Sequence, residues 1–69
     1  MKVSEMKVGK CYSNGKGRVR KLCSRGPQHA PSWAVDQDWV SYDVVEGPGT
    51  GSVCTTVAFA RWAKEEVAK

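Results

Sequence analysis

Cys11, Cys23, His29 and Cys54 are the residues whose types could do chemistry together, since they match a Cys₃His zinc set in number. Their spacing argues otherwise. Structural zinc sites present ligands in close pairs on tight turns, and no C-x-x-C pair occurs here. A Cys–His dyad would have to use His29, the single histidine, from inside a Pro-rich irregular stretch. Asp36, Asp38 and Asp43 are the nearby carboxylates, and all lie near turns or on an exposed strand face. Buried packing cysteines are therefore expected, with no catalytic residue and no metal. No cofactor is expected either. The glycine-rich strings "NGKGR" (14–18) and "GPGTG" (47–51) lack the spacing of a phosphate loop. Neither opens a helix, so both read as turns.

Binding is the chemistry that remains. Residues 1–25 hold eight Lys and Arg against Glu5 alone, whereas residues 26–69 hold three basic and six acidic residues. That imbalance predicts one basic face, suited to phosphate or to an acidic protein surface. Lys16, Arg18 and Arg20 have equal parity and would share one strand face, with Lys10 across the hairpin and Lys21 and Arg25 extending the patch. Cations at this density can track a phosphate backbone, and Tyr12, Trp33, Trp39 and Tyr42 could supply stacking surfaces. The candidate partner-binding residues are thus Lys10, Lys16, Arg18, Arg20, Lys21, Arg25 and Trp33. Trp33 is the aromatic expected to be accessible. The leading expectation is a non-enzymatic module that binds through this basic hairpin, with nucleic acid ahead of an acidic protein. The alternative is a protein–protein inhibitor or counter-defence factor. In that case the Gly26–Asp38 loop would do the work, with Trp33 as anchor and the cations steering encounter.

The elements that must position these residues follow from local pattern. Val3–Met6 reads as a helical turn over one end of the sheet. Strands are expected at Lys10–Ser13 and Arg18–Ser24, joined by a two-residue type I′ turn at Asn14-Gly15, with Gly17 marking a bulge. Residues 25–38 form a long irregular loop that carries Trp33 and Val35. In "WVSYDVV" (39–45), Val40, Tyr42 and Val44 alternate with Ser41 and Asp43, the clearest strand of the chain. A turn at 46–51 leads to a short strand over Ser52–Thr55. The period then changes: Phe59, Trp62, Ala63 and Val67 form one helical stripe, predicting a C-terminal helix over about 56–68 capped by Thr55 or Thr56.

A chain of 69 residues is one small domain whose core stabilises it only marginally. The fold class expected is α+β and β-rich: a small SH3-like barrel, or a strongly curved antiparallel sheet of four to five strands, closed by the C-terminal helix. The helical stripe would pack on residues drawn from Val8, Val19, Leu22, Val40, Tyr42 and Val44. A marginal core with several aromatics to cover also predicts a homodimer through a sheet edge or the helix. Met1–Lys10 lacks the apolar run of a signal peptide, and an odd cysteine count fits reduced thiols in a cytosol. No stretch approaches the ~20 apolar residues that would cross a membrane.

"VGKCYSNGKGRVRKLC", "VSYDVV" and "FARWAKEEV" together resemble a group of short, uncharacterised bacteriophage and prophage proteins. These open with a G-K-x-Y, N-G-K-G-x-x-R hairpin and end in an F-A-x-W-A helix. The matching residues are Gly9, Lys10, Tyr12, Asn14, Gly15, Lys16, Gly17, Arg20, Phe59, Ala60, Trp62 and Ala63. The resemblance covers most of the chain except residues 26–38. It implies a phage accessory protein working in the bacterial host cytoplasm, and it brings no activity, cofactor or catalytic residue. The opening hairpin is also similar to small barrel modules of the KOW or Tudor kind, an analogy of fold alone.

Overall fold

Alternating side chains and glycine-rich turns build an antiparallel sheet. In the computed structural model, which describes residues 1–34 and 36–68, β1 (Cys11–Ser13) pairs with β2 (Val19–Arg25), and β2 pairs with β3 (Trp39–Glu46). Val35 lies outside the described residues, as does Lys69. β4 (Ser52–Thr55) adds to β3, and β5 (Glu65–Val67) adds to β1, giving a five-stranded sheet in the order β4-β3-β2-β1-β5. The protein is therefore α+β and β-rich. The sheet is not closed into a barrel, and β4 and β5 are its two edges.

The first hairpin differs from the expected two-residue turn. Ser13 pairs with Val19, so a five-residue loop, 14–18, separates the strands. A type I′ turn needs positive φ at Asn14 as well as Gly15, and no described non-glycine residue has it. Instead the Asn14 side chain organises the loop: its Oδ1 accepts from the backbone N–H of Lys16 at 2.8 Å and of Arg18 at 3.4 Å. Gly15 and Gly17 then supply the left-handed positions, with φ of 77° and 82°. A short polar side chain has replaced a backbone turn.

The C-terminal segment departs further from expectation. α1 covers Thr56–Trp62, not 56–68. Thr55 is its N-cap, accepting from Ala58 N–H at 3.1 Å. At the other end the N-terminal ammonium donates to the Ala60 and Ala63 carbonyls at 3.1 and 3.2 Å, where the helix dipole favours a cation. Beyond Ala63 the chain is extended, and Lys64 N–H donates to the Ser13 carbonyl at 2.8 Å, starting β5. The physical reason is the free edge of β1. Three-residue β1 would otherwise leave a row of backbone groups unpaired, and further helix would not satisfy them.

Pairs directly opposite across the ladders share a face. Tyr12, Arg20 and Val44 line up on the side covered by α1, as do Leu22 with Tyr42 and Val40 with Cys54. The core sits there: Met6, Tyr12, Leu22, Val40, Phe59, Ala60 and Ala63 are buried together. Phe59 is its centre. It meets Tyr12 edge-on at 5.9 Å and lies 5.8 Å from Tyr42 and 5.7 Å from Trp62. Of the residues expected beneath the helix, Leu22, Val40 and Tyr42 belong to this cluster, whereas Val8 is exposed and Val19 is buried outside it. Val3–Glu5 forms a single 3₁₀ turn that touches α1, with Met6 buried behind it.

Candidate binding surface

The basic residues that sequence placed on one face are spread over the molecule. Lys16 and Arg18 are exposed in the 14–18 loop rather than on a strand face. Lys10 is exposed just before β1, beside a shallow recess lined by Gly9, Cys11, Glu66, Val67 and Ala68. Lys21 is exposed opposite Cys11 and Asp43, on the face away from the helix. Arg20 is half-buried on the helix side, its guanidinium stacked 4.5 Å from the Tyr42 ring and 4.2 Å from the Trp62 ring. Arg25, at the far end of β2, is ion-paired with Asp38. Parity failed here because Lys16 and Arg18 precede the strand, where period-two alternation does not apply.

Of the four aromatics considered as stacking surfaces, Tyr12 is fully buried, and Trp39 and Tyr42 are half-buried. The Tyr12 hydroxyl accepts from Lys7 N–H at 2.7 Å, which satisfies its polar end inside the fold. Trp33 is 81% exposed. An indole of that size facing water has no stabilising role in the fold, which makes it the most conspicuous apolar feature of the surface.

The loop that carries Trp33 is built, not slack. It contains 3₁₀ turns at Pro27–His29 and Ser32–Ala34, and Ala34 is buried beneath it. Both ends are held. Gly26 N–H donates to the Trp39 carbonyl at 2.9 Å, and Arg25 and Asp38 bridge the loop's two stems. Ser24 Oγ shares hydrogen bonds with His29 Nε2 and with Ser41 Oγ, tying the first turn to β2 and β3. Thr56 completes the clamp, its Oγ1 donating to Asp38 Oδ2 at 3.0 Å and its N–H to the Asp38 carbonyl at 2.9 Å. Desolvation alone would raise the Asp38 carboxyl. The hydrogen bonds from Arg25 and Thr56, with the Arg25 charge, outweigh it and hold the carboxyl below its ordinary value.

Sequence reasoning anticipated that Trp33 is accessible but missed Ser24, Asp38, Ser41 and Thr56 as the residues that hold its loop. Their partners lie as far as 17 and 18 positions away, so no local pattern reports them. The cysteines are separate from one another in role: Cys11 is buried, Cys54 half-buried and Cys23 exposed. Burial raises the Cys54 thiol pKa, and partial desolvation followed by the Asp43 carboxylate raises that of Cys23. Among the described residues, no three His, Cys, Asp or Glu side chains come together as a metal site. No helix among them is long and apolar enough to cross a membrane.

Compared with protein families, with curated proteins and with solved structures, the chain matches none.

Proposed function

We propose that this chain is a non-enzymatic phage accessory module of the bacterial host cytoplasm, and that it binds a host protein through the 26–38 loop with Trp33 as its anchor. The exposure of Trp33 on a clamped loop carries the reading. A loop whose stems and first turn are already held loses less conformational freedom on binding, and buried tryptophans are over-represented among residues that dominate interface energy. The surrounding charge favours protein over nucleic acid. Asp36 is exposed three residues beyond Trp33, and the nearest predicted cation, Arg25, is neutralised by Asp38. An apolar pocket with a polar or cationic rim fits this surface, whereas a phosphate backbone would meet a carboxylate.

Lys16 and Arg18 support the nucleic-acid reading, since both are exposed. β2 separates them from the stem of the Trp33 loop at Arg25 and Gly26, about 20 Å at the rise of a strand.

Affinity capture from bacterial lysate, with and without nuclease, separates the two readings. A host protein should be recovered in nuclease-treated lysate, lost with Trp33→Ala and retained with the double variant Lys16→Glu, Arg18→Glu. Recovery that nuclease abolishes, and that the double variant loses while Trp33→Ala keeps it, would replace the protein partner with nucleic acid.

A further inference from the structure

An arginine held against aromatic rings is a cation whose position is set before any ligand arrives. Arg20 is such a residue. It is half-buried, and its guanidinium carbon lies 4.5 Å from the centre of the Tyr42 ring and 4.2 Å from that of Trp62. Both rings rest on Phe59, at 5.8 and 5.7 Å, so the support of the cation is part of the packed core.

The rings attract the charge through their faces, but a ring face satisfies N–H donors only weakly. A guanidinium carries five such donors in a rigid fork. Arg25, at the far end of β2, spends its donors on Asp38. Among the described residues, no carboxylate forms an ion pair with Arg20 and no acceptor takes a hydrogen bond from it. Its charge still reaches Cys54, where it lowers a thiol pKa that burial raises more strongly. Across the sheet Arg20 lies between Tyr12 and Val44. Glu46 stands one row along, opposite Val19, and Glu66 stands two strands away beyond Tyr12, about 10 Å at the spacing of a sheet. The exposed cations Arg61 and Lys64 lie just before and just after Trp62 at the end of α1.

From these observations we infer that Arg20 anchors a phosphate-binding site on the helix side of the sheet, separate from the Trp33 loop. The chemistry of the donor selects the ligand. A fork held by its stem and its face presents paired N–H groups that match two oxygens of one oxyanion, and such charge-assisted bonds are roughly twice as strong as neutral ones. Ordering a long side chain ordinarily opposes binding, and here the rings have already ordered it. A dianionic phosphate gains more than a singly charged carboxylate, because Arg61 and Lys64 add positive charge at the same end of α1. The ligand is therefore a free phosphate or a phosphate monoester.

The test is a titration of the isotope-labelled chain with sodium phosphate, at fixed pH and ionic strength, read from the side-chain N–H signals of arginine and tryptophan in NMR spectra. The Arg20 Nε–H and Trp62 Nε1–H signals should shift to saturation, while those of Arg25 and Trp33 stay in place. Sodium acetate should saturate the same signals only at several-fold higher concentration, and sodium chloride should not saturate them. Arg20→Met keeps an unbranched stem against both rings and should weaken the phosphate response of Trp62 by about tenfold or more, the loss of one charge-assisted hydrogen bond. Arg61→Gln combined with Lys64→Gln should weaken it less. Should Arg20→Met fail to fold, the residue-by-residue response of the unmodified chain decides alone. Shifts that never saturate, or that chloride reproduces, would overturn the site, as would an Arg20→Met variant that binds like the parent. Acetate binding as tightly as phosphate would overturn the choice of ligand. Failure of this test leaves the Trp33 loop untouched, because the two surfaces share no residue.

Discussion

Arg20 and Asp38 show how a charged side chain can belong to the fold while sequence assigns it to a surface. The Arg20 guanidinium lies over both Tyr42 and Trp62, and those rings in turn flank Phe59. Its stem and its charge thus complete the cover of the core. Arg20→Ala should lower the unfolding free energy in urea by about 1–2 kcal/mol, through two partly desolvated cation–π contacts and lost packing. Arg20→Met should recover the packing share alone. Asp38 acts through pH. Its folded pKa is depressed, so its contribution is present above the unfolded value of about 3.9 and is lost as pH falls through the folded pKa. Asp38→Asn should therefore cost stability at neutral pH and make acid unfolding less steep below about pH 4, measured by thermal melts across that range. Cys23 gives a third check. Its raised thiol pKa should make it react slowly with a disulfide reagent at pH near 8, and Asp43→Asn should speed the reaction.

At the scale of elements, α1 matters through one residue more than through its length. Seven residues are too few to form a stable helix without tertiary contacts, so α1 exists because Phe59, Ala60 and Ala63 are buried against the sheet. The stripe expected to span Phe59 to Val67 divides at Ala63: Phe59 and Ala63 are fully buried, Trp62 is half-buried, and Val67 lies on β5 opposite Cys11. Phe59→Ala should consequently cost about 3–5 kcal/mol, as for other buried aromatics, and leave little folded protein. Trp62→Ala should cost about 2 kcal/mol because the ring is only partly buried against the core, and the variant should remain folded at low temperature. Equal losses for the two in urea titrations would contradict this ordering. Trp33→Ala, by contrast, should lie within about 0.5 kcal/mol of the parent, since the side chain covers nothing.

For the whole molecule, stability is concentrated where two long strands meet. β2 and β3 run together along almost their full lengths at the centre of the sheet, whereas β5 and β4 offer three and four residues at the edges. Amide hydrogen exchange should accordingly be slowest at Leu22 and Val40, and fastest among the strands at β5 and the outward amides of β4.

Much of the architecture could be read before any coordinates. Alternation in "WVSYDVV" located β3, the Gly and Pro clusters located the turns, and Thr55 marked the start of the helix, because each signal is carried by residues a few positions apart. Exposure of Trp33 was legible for the same reason, since a large apolar residue in an irregular stretch just after Pro27 and Pro31 has no periodic partner to pack against. What tertiary structure alone decided depends on residues distant in sequence. The end of α1 and the existence of β5 follow from the unpaired edge of β1, 56 positions earlier at the Cys11–Val67 pair. The basic cluster was dispersed because Asn14 drew Lys16 and Arg18 into a loop, two aromatic rings captured Arg20, and Asp38 neutralised Arg25. Local sequence encodes which conformations each segment prefers; only the packed chain determines which backbone edges need a partner and which charges already have one.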